Sequence, residues 1–447
     1  MREMQSTPPS ESRKEPVERL ERRLRLFDAV TIGIGGMIGG AIFVAISVAT
    51  EVTGPSVPIS FAFCSLLAVL TGYSYAKLAP KFPEAGGGFS YIRRAFKRRK
   101  ISLSVGYTVW FAYVAACALY IVGFAGYAHS FINVPEYILA FLIIAPFTGL
   151  NIIGMRESAM TQNMIVTAKI LILAVLVIFG FFYIDASNFV NPFPKGVGAI
   201  FIASAAIFIG YQGFDIIGNT AEEIRNPERN IKRAIYISIA IVSILYISVS
   251  IVAVGAVHYT VIVEEPEAPL SKVAEGFMGD WGAKLLGVGG LLSTASAYNA
   301  ALYGASRISF TLGRYHLMPK QMVWLSGKSI PVRAILLASI SSALLGIYGI
   351  ISSSGLERVA SLSSATFLIV FLLVAIANYR LRKITLANKN IIYLTVALYI
   401  VMMVSSMILD FWTWIMLIVF VSLIYVVDIL LRKFFIPWFY FEKDDFS

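Results

Sequence analysis

The sequence contains few charged residues for its length. Only 14% of its 447 residues are Asp, Glu, Lys or Arg, whereas 58% are hydrophobic. Soluble domains are about 25% charged, so this chain lacks the polar surface needed to face water on all sides. Its net charge of +11 is dispersed over many short segments, which argues against a nucleic-acid-binding surface.

The residue types that most often carry enzyme chemistry are also scarce. Both cysteines, Cys64 and Cys117, lie in apolar runs, where a thiol acts as a small packing residue rather than a nucleophile. The three histidines lack metal-ligand spacing. No Walker A, Ser-His-Asp or HExxH pattern is present. We therefore expect no enzymatic activity, no cofactor and no metal site.

Long apolar runs fill most of the chain. A transmembrane helix needs about 20 mostly apolar residues, and the sequence predicts an all-α integral membrane protein with twelve such helices, at 27–51, 56–80, 103–128, 134–154, 161–184, 197–221, 233–257, 283–306, 333–353, 359–380, 390–409 and 411–431. Only Asp410 and its neighbours separate the last two. Residues 1–26 and 432–447 are predicted to be cytoplasmic tails, the first of them disordered.

The basic residues indicate the orientation in the membrane. Of the 37 Lys and Arg residues, all but five fall in the terminal tails or the even-numbered connections. The exceptions are Lys195, Lys272, Lys284 and Arg358 on the opposite side, and Lys169 within a predicted helix. The positive-inside rule then places both termini in the cytoplasm, as an even number of helices requires. We expect a multi-pass protein of the cell membrane.

The first predicted helix is unusually rich in glycine. Five glycines fall within residues 33–40, and each costs about 1 kcal/mol of helix propensity. In hydrocarbon, an unpaired backbone group costs several kcal/mol more. This stretch alone equally fits close helix packing and a broken helix that lines a polar cavity.

The sixth predicted helix favours the second interpretation. It carries Gly210, Gln212, Gly213 and Asp215 near mid-depth, and helices one and six hold corresponding positions in two five-helix halves. Matched glycine interruptions are typical of inverted-repeat transporters. Free N–H groups at such breaks bind a carboxylate, and free carbonyls bind an ammonium. The pattern predicts a site for a zwitterionic amino acid.

Lys169 is the most unusual charge in the chain. It lies about 13 Å into the fifth helix, counting 1.5 Å per residue, and a lysine inside the membrane is costly and usually functional. Burial disfavours its charged form, so we expect its ammonium to gain and lose a proton during transport. The alternative is a permanently charged lysine that bridges helices through carbonyls.

The remaining deep acidic residues have simpler interpretations. We interpret Asp215 as a cap that accepts free N–H groups after the break. Glu222 and Glu223 are expected near the cytoplasmic end of the same helix. For these two, pairing with loop arginines and simple solvation are equally compatible with the sequence.

Several motifs resemble the amino acid–polyamine–organocation superfamily of permeases, and they occur in the superfamily's order between about residues 24 and 380. Residues 82–91 are similar to its FPxAGGxYxY stretch, and the first break to its G-x-I-G-x-x-I-F motif. Further similarities lie at 213–215, 221–223 and 226–229 (GFD, AEE and NPxR), at 292–294 with 306–307, and at 360–368.

The resemblance implies a 5+5 inverted-repeat (LeuT-like) transporter fold with broken helices 1 and 6. Residues 27–184 and 197–380 would form the repeats, and 390–431 two peripheral helices. The implied substrate-binding residues are Met37, Gly39, Gly40, Ala41, Phe208, Ile209, Gly210 and Gln212. Gly40 and Ala41 would meet the substrate carboxylate through their N–H groups, and the carbonyls of Met37, Ile209, Gly210 and Gln212 would meet its ammonium.

Four positions depart from the superfamily pattern. No hydroxyl stands at Gly40 or Ala41, so a side-chain contact to the carboxylate is missing. The frequent aromatic gate is absent at Ile209, although Phe208 is adjacent. Gln212 is more polar than the usual aliphatic residue, so its amide is a candidate contact for the substrate side chain.

Some proton-coupled members place a lysine of helix five where sodium-coupled relatives bind a cation between helices 1 and 8. By this resemblance, Lys169 would contact carbonyls of helix one and the hydroxyls of Ser293 or Ser296. We expect proton-coupled uptake of a neutral amino acid by alternating access. An obligate exchanger is the alternative within transport, whereas a channel or receptor would belong to another class. The expected partners are the amino acid, the proton and the bilayer; the sequence leaves the oligomeric state open.

Overall fold

The computed structural model describes residues 20–39, 41–265, 268–326, 329–352 and 355–439. These residues form α-helices, which we number α1 (Leu26–Met37), α2 (Ile46–Thr53), α3 (Val57–Leu78), α4 (Gly87–Phe96), α5 (Arg99–His129), α6 (Glu136–Leu139), α7 (Phe141–Ile153), α8 (Met155–Phe181), α9 (Gly198–Ile207), α10 (Phe214–Asn219), α11 (Pro227–Ala256), α12 (Tyr259–Glu264), α13 (Pro269–Arg314), α14 (Val332–Ile351), α15 (Gly355–Arg380), α16 (Arg382–Thr385), α17 (Lys389–Leu409) and α18 (Phe411–Phe439).

Within the described part of the chain, ten helical segments are long and apolar enough to cross a membrane. The apolar stretches Leu26–Met37 and Phe411–Val426 are shorter; they fall in the first and twelfth predicted helices. The prediction of an all-α membrane protein is confirmed. The predicted turn at Asp410 is confirmed as well, since α17 ends at Leu409 and the Asp410 carboxylate accepts the Thr413 N–H at 3.2 Å.

Two helices are interrupted at the glycine-rich stretches. The first ends as α1 at Met37 and resumes through a π-helix at Ala41–Ala45, which leads into α2. The other ends in a 3₁₀ turn at Phe208–Tyr211, and α10 begins at Phe214. Gly213 has φ +136°, a conformation that residues with a Cβ rarely adopt. Both predicted breaks are therefore present.

Several predicted boundaries need correction. The helix predicted at 283–306 extends to Arg314 and is itself interrupted at Gly279, where φ is +67°. The backbone of α18 stays helical to Phe439, eight residues beyond the predicted end of the twelfth helix. Residues 20–26 do not belong to a disordered tail, because Leu20 and Leu24 are buried and the backbone of Leu24 pairs with that of Ile224. Residues 1–19 lie outside the described part of the chain.

The helix packing encloses the first break. Helix α1 contacts α8, α10, α11 and α13, and every residue from Ala29 to Met37 is buried. Its freed backbone groups must therefore find partners on these neighbours rather than in water.

Candidate functional site

The two breaks are in direct contact. A Cβ added to Gly213 would lie 2.4 Å from the backbone nitrogen of Met37 and 2.6 Å from the carbonyl carbon of Gly36. A Cβ added to Gly36 would lie 2.9 Å from the Cα of Gly213. Only glycine allows the two backbones to approach this closely. The pairing brings the free ends of four helical segments together inside the bundle.

Lys169 joins three helices at the first break. Its Nζ donates to the carbonyls of Gly35 (3.2 Å) and Ile38 on the α1 side, and to the Ser296 hydroxyl of α13 at 2.5 Å. An ammonium has three protons, and these acceptors take all of them. The side chain is fully buried. Its charge is thus held by the carbonyls that the break releases and by one hydroxyl of α13.

The two predicted serines differ in their contacts. Ser296 accepts from Lys169 and donates to the Ser293 carbonyl at 3.1 Å. The buried hydroxyl of Ser293 has no hydrogen-bond partner among the described residues. The structure therefore brings Ser296, but not the Ser293 hydroxyl, into contact with the lysine.

A tyrosine that the sequence did not single out links the two breaks. The Tyr246 hydroxyl of α11 lies 2.6 Å from the Met37 carbonyl and 3.4 Å from that of Gly210. Tyr120 of α5 donates to the Gly36 carbonyl at 3.3 Å. A buried tyrosine hydroxyl needs a partner, but the sequence gives no sign of which distant backbone group it meets.

The predicted substrate residues at the second break, from Phe208 to Gly210 and Gln212, are buried, but they have different neighbours. The Ile209 carbonyl accepts from the Gln212 N–H at 3.3 Å. The Gln212 amide nitrogen lies 3.5 Å from the Ser363 hydroxyl, and its Oε1 has no partner among the described residues. The Phe208 ring packs on Phe371 and Tyr399, with centroids 6.0 and 5.9 Å apart, and so faces α15 and α17.

The residues predicted to bind the carboxylate are only partly described. Gly39 packs closely against Ala297 and Tyr120, since an added Cβ would lie 2.5 and 2.9 Å from their side-chain atoms. Gly40 lies outside the described residues, and Ala41 begins the π-helix. Ala41 is thus at the point where the helix restarts, where N–H groups lack helical partners, whereas the Gly39 N–H donates to the Met37 carbonyl at 2.9 Å.

Asp215 caps the second break. Its Oδ1 accepts the Gly213 N–H at 2.8 Å, and its Oδ2 accepts from the Tyr113 hydroxyl. Asn219 in turn donates to that hydroxyl at 2.6 Å. The predicted capping role is confirmed by these bonds.

Glu222 and Glu223 are paired rather than solvated. Glu223 is buried and forms a bidentate ion pair with Arg307 of α13, with N–O distances of 2.9 and 3.1 Å. Glu222 binds Arg314 at 3.1 Å and accepts the Ala85 N–H at 3.2 Å. Sequence analysis placed Arg307 just past the end of its helix, so this buried pair was not predicted.

Comparisons with known proteins find relatives that match most of the chain. The sequence profile of the amino acid permease family matches residues 24–440. An uncharacterized protein of Methanocaldococcus jannaschii is 31% identical over 89% of this chain and 91% of its own length. The branched-chain amino acid permease BcaP of Bacillus subtilis is 28% identical, covering 81% of this chain and 82% of its own.

A plant relative carries a different substrate in its name. Cationic amino acid transporter 6 of Arabidopsis thaliana, a chloroplastic protein, is 29% identical over 80% of this chain and 65% of its own length. Since the family profile covers nearly the entire sequence, the chain belongs to the amino acid permease family, a family of membrane transporters rather than enzymes.

Proposed function

We propose that the protein is a secondary active transporter that takes up a neutral amino acid together with protons by alternating access. The observation that carries this proposal is Lys169. Its fully buried ammonium binds the broken helix and α13 at once, through two carbonyls and a hydroxyl rather than a carboxylate. A charge in this position is costly inside a membrane, and its loss or gain would change how tightly the two helices hold together.

The proposed architecture is the twelve-helix, 5+5 inverted repeat (LeuT-like). Helices α1 and α2 would be the halves of helix 1, and α9 and α10 those of helix 6. The contact between Gly36 and Gly213 supports this pairing, because inverted-repeat transporters place their two breaks together at the midplane. The distribution of basic residues supports a cell-membrane protein with both termini in the cytoplasm.

The proposed substrate site uses backbone groups of both breaks. N–H groups at Gly40 and Ala41 would bind the carboxylate, because partial positive charge collects where a helix begins. The carbonyls of Met37 and Gly210 would bind the ammonium. A carbonyl oxygen has two lone pairs, so Gly210 can accept from the substrate and still accept from Tyr246. The Met37 carbonyl accepts from Tyr246 and from the Gly39 N–H, so the substrate ammonium would have to replace one of these two donors.

A neutral side chain suits this site better than a cationic one. The carboxylate at the break, Asp215, already accepts from Gly213 and Tyr113. Gln212 offers an uncharged amide whose Oε1 lacks a partner among the described residues. The substrate named for the Bacillus subtilis relative is of this neutral type; that of the plant relative is not.

The proposed coupling follows from the bonds of Lys169. Protonated, it holds the carbonyls of Gly35 and Ile38 against Ser296. Deprotonated, it keeps two protons and no charge, so its charge-assisted bonds, worth about 1.5–3 kcal/mol each, weaken together. Helix 1 is then free to move away from α13, and the transporter changes its open side.

Uptake into proteoliposomes tests the proposal. Labelled neutral and cationic amino acids are offered with an imposed inward proton gradient, without sodium, and again without any gradient. We expect neutral amino acids to accumulate only with the gradient. Exchange without accumulation would identify an obligate exchanger, and accumulation of cationic amino acids alone would overturn the substrate assignment.

A further inference from the structure

A polar cluster that the proposed transport mechanism does not use lies near Lys169, toward the N-terminal end of α8. It comprises Asn151, Ser158, Gln162 and Asn299, each at most 4% exposed. Gln162 donates to the Ser296 carbonyl at 3.1 Å and accepts from the Asn299 amide at 3.0 Å. Asn299 also accepts from Asn151 (2.8 Å) and Ser158 (3.2 Å). A buried polar network bonded in this way fixes the positions of its side chains.

Gln162 is wedged into the first broken helix. A Cβ added to Gly35 would lie only 1.6 Å from the Gln162 amide nitrogen, so the amide fills the recess that the glycine leaves. On α8, Val166 lies between Gln162 and Lys169 and is 1% exposed. Its Cγ2 would lie 3.2 Å from the same added Cβ. The Gln162 amide therefore lies between Lys169 and the N-terminal end of α8.

A small cavity lies on the side of Gln162 that faces away from Lys169. Ser158, Ala159, Gln162, Asn299 and Tyr303 line it, and Leu24 and Ile32 close it. It has room for about one water molecule. The Tyr303 hydroxyl has no partner among the described residues, and Ser158 and Asn299 supply further polar atoms. A water held by two to four such groups is a normal part of a buried polar site.

The charges around this cavity are already paired. On α1, Asp28 accepts from Asn163 at 2.8 Å and from the Arg25 N–H at 2.8 Å. On α13, Arg307 pairs with Glu223 and stacks on the Tyr303 ring, 3.8 Å from its centroid. The cavity is thus polar without a free charge among these groups, and the charge that lies beyond the wedge is Lys169.

We propose that Gln162 is a gate between cytoplasmic water and Lys169. While the amide fills the Gly35 recess and is bonded to Ser296 and Asn299, water reaches the cavity but not the lysine. Movement of α1 away from α8 empties the recess, frees the amide and lets water pass along α8, over about 10 Å between Gln162 and Lys169. The opening of the gate is thereby tied to the movement of helix 1.

The gate explains how a coupled transporter avoids a leak. The inference rests on the proposed function for the role of Lys169 and for the side of the membrane that the cavity faces. The barrier itself is a property of Gln162 and Gly35, and it can be measured without any proton gradient.

Cysteine labelling tests the barrier directly. In a background of Cys64→Ala and Cys117→Ala, two probes are introduced separately: Ala159→Cys in the cavity wall and Val166→Cys beyond the gate. Each cysteine probe is made in three proteins: one with Gln162 unchanged, one with Gln162→Ala, and one with the control Asn151→Ala. The control removes an amide of the cluster that does not enter the recess. Vesicles of both orientations are treated with silver ions, which react with thiols and are small enough for a cavity with room for about one water molecule.

We expect Ala159→Cys to react from the cytoplasmic face in every combination. Val166→Cys is expected to react about tenfold faster with Gln162→Ala than with Gln162 or Asn151→Ala, because the change removes two hydrogen bonds and opens the recess. Equal rates for Val166→Cys with and without Gln162 overturn the gate, as does Ala159→Cys reacting from the opposite face alone. Gln162→Ser is a second variant with the same expectation, and amino acid exchange shows that each variant folds.

The two proposals fail in different ways. If Lys169→Ala keeps proton-driven uptake, the coupling role is wrong, whatever the labelling shows. If the labelling rate of Val166→Cys is the same with and without Gln162, while Lys169→Ala abolishes accumulation, the coupling role of Lys169 is supported and the gate is wrong.

Discussion

Both breaks leave backbone groups without helical partners, and side chains of opposite charge bind these groups at the two breaks. At the break in helix 1, freed carbonyls accept from side chains of other helices: Lys169 from α8 and Tyr246 from α11. At the break in helix 6 a freed N–H, that of Gly213, is taken by Asp215, only two residues further along the same chain. The cationic partner thus comes from another helix, whereas the anionic partner belongs to the helix that it caps.

This difference shows where movement is coupled to charge. A cap that belongs to its own helix moves with that helix and changes no contact between helices. A lysine that reaches across from α8 must change its contacts whenever helix 1 moves. We therefore assign coupling to the cationic partner and structural support to the anionic one.

The largest expected effect comes from closing the contact between the breaks. Gly213→Ala places a Cβ against Met37 and Gly36 at a φ of +136°, which we expect to cost about 3 kcal/mol or more in strain and displaced backbone. The matched control is Gly126→Ala in α5, where nothing lies within 4 Å of the added Cβ; a gain of up to about 1 kcal/mol is expected there. Thermal unfolding in lipid nanodiscs compares the two, and equal stabilities would show that the breaks do not touch.

The next effect separates support from coupling. Asp215→Ala removes the cap of Gly213 and the acceptor of Tyr113, which we expect to lower stability by about 2 kcal/mol. Asp215→Asn keeps an acceptor oxygen and should lose less. Both variants should keep the dependence of uptake on a proton gradient. If Asp215→Ala has normal stability but its uptake no longer depends on the proton gradient, the coupling role belongs to this carboxylate.

A smaller effect is expected from the tyrosines at the first break. Tyr246→Phe removes the donor to the Met37 carbonyl and should cost about 1 kcal/mol. Tyr120→Phe should cost less, because its bond to Gly36 is long at 3.3 Å. Unfolding temperatures rank the two, and a larger loss for Tyr120→Phe would contradict the assigned contacts.

Glycine content predicted both breaks because the cost of glycine in a helix is local. Lys169 could be recognised from its depth, and the family resemblance indicated Ser293 or Ser296 as a partner, of which only the Ser296 hydroxyl contacts the lysine. The roles of Tyr246, Arg307 and Gln162 could not be predicted, since they depend on how distant helices rotate against each other. The recess at Gly35 is an example: the glycine is visible in the sequence, but the Gln162 amide that fills it lies more than a hundred residues away. The interruption of α13 at Gly279 also lacked a distinguishing pattern.

The most direct test of the account compares Lys169→Ala and Lys169→Arg with the unaltered protein in proteoliposomes. Gradient-driven accumulation is measured beside gradient-free exchange, which reports folding and substrate binding. Arginine keeps the charge but does not release its proton in proteins. We predict that both variants lose accumulation and that Lys169→Ala still exchanges. Accumulation by Lys169→Arg at the level of the unaltered protein would show a fixed structural charge, and full accumulation by Lys169→Ala would contradict the coupling role outright.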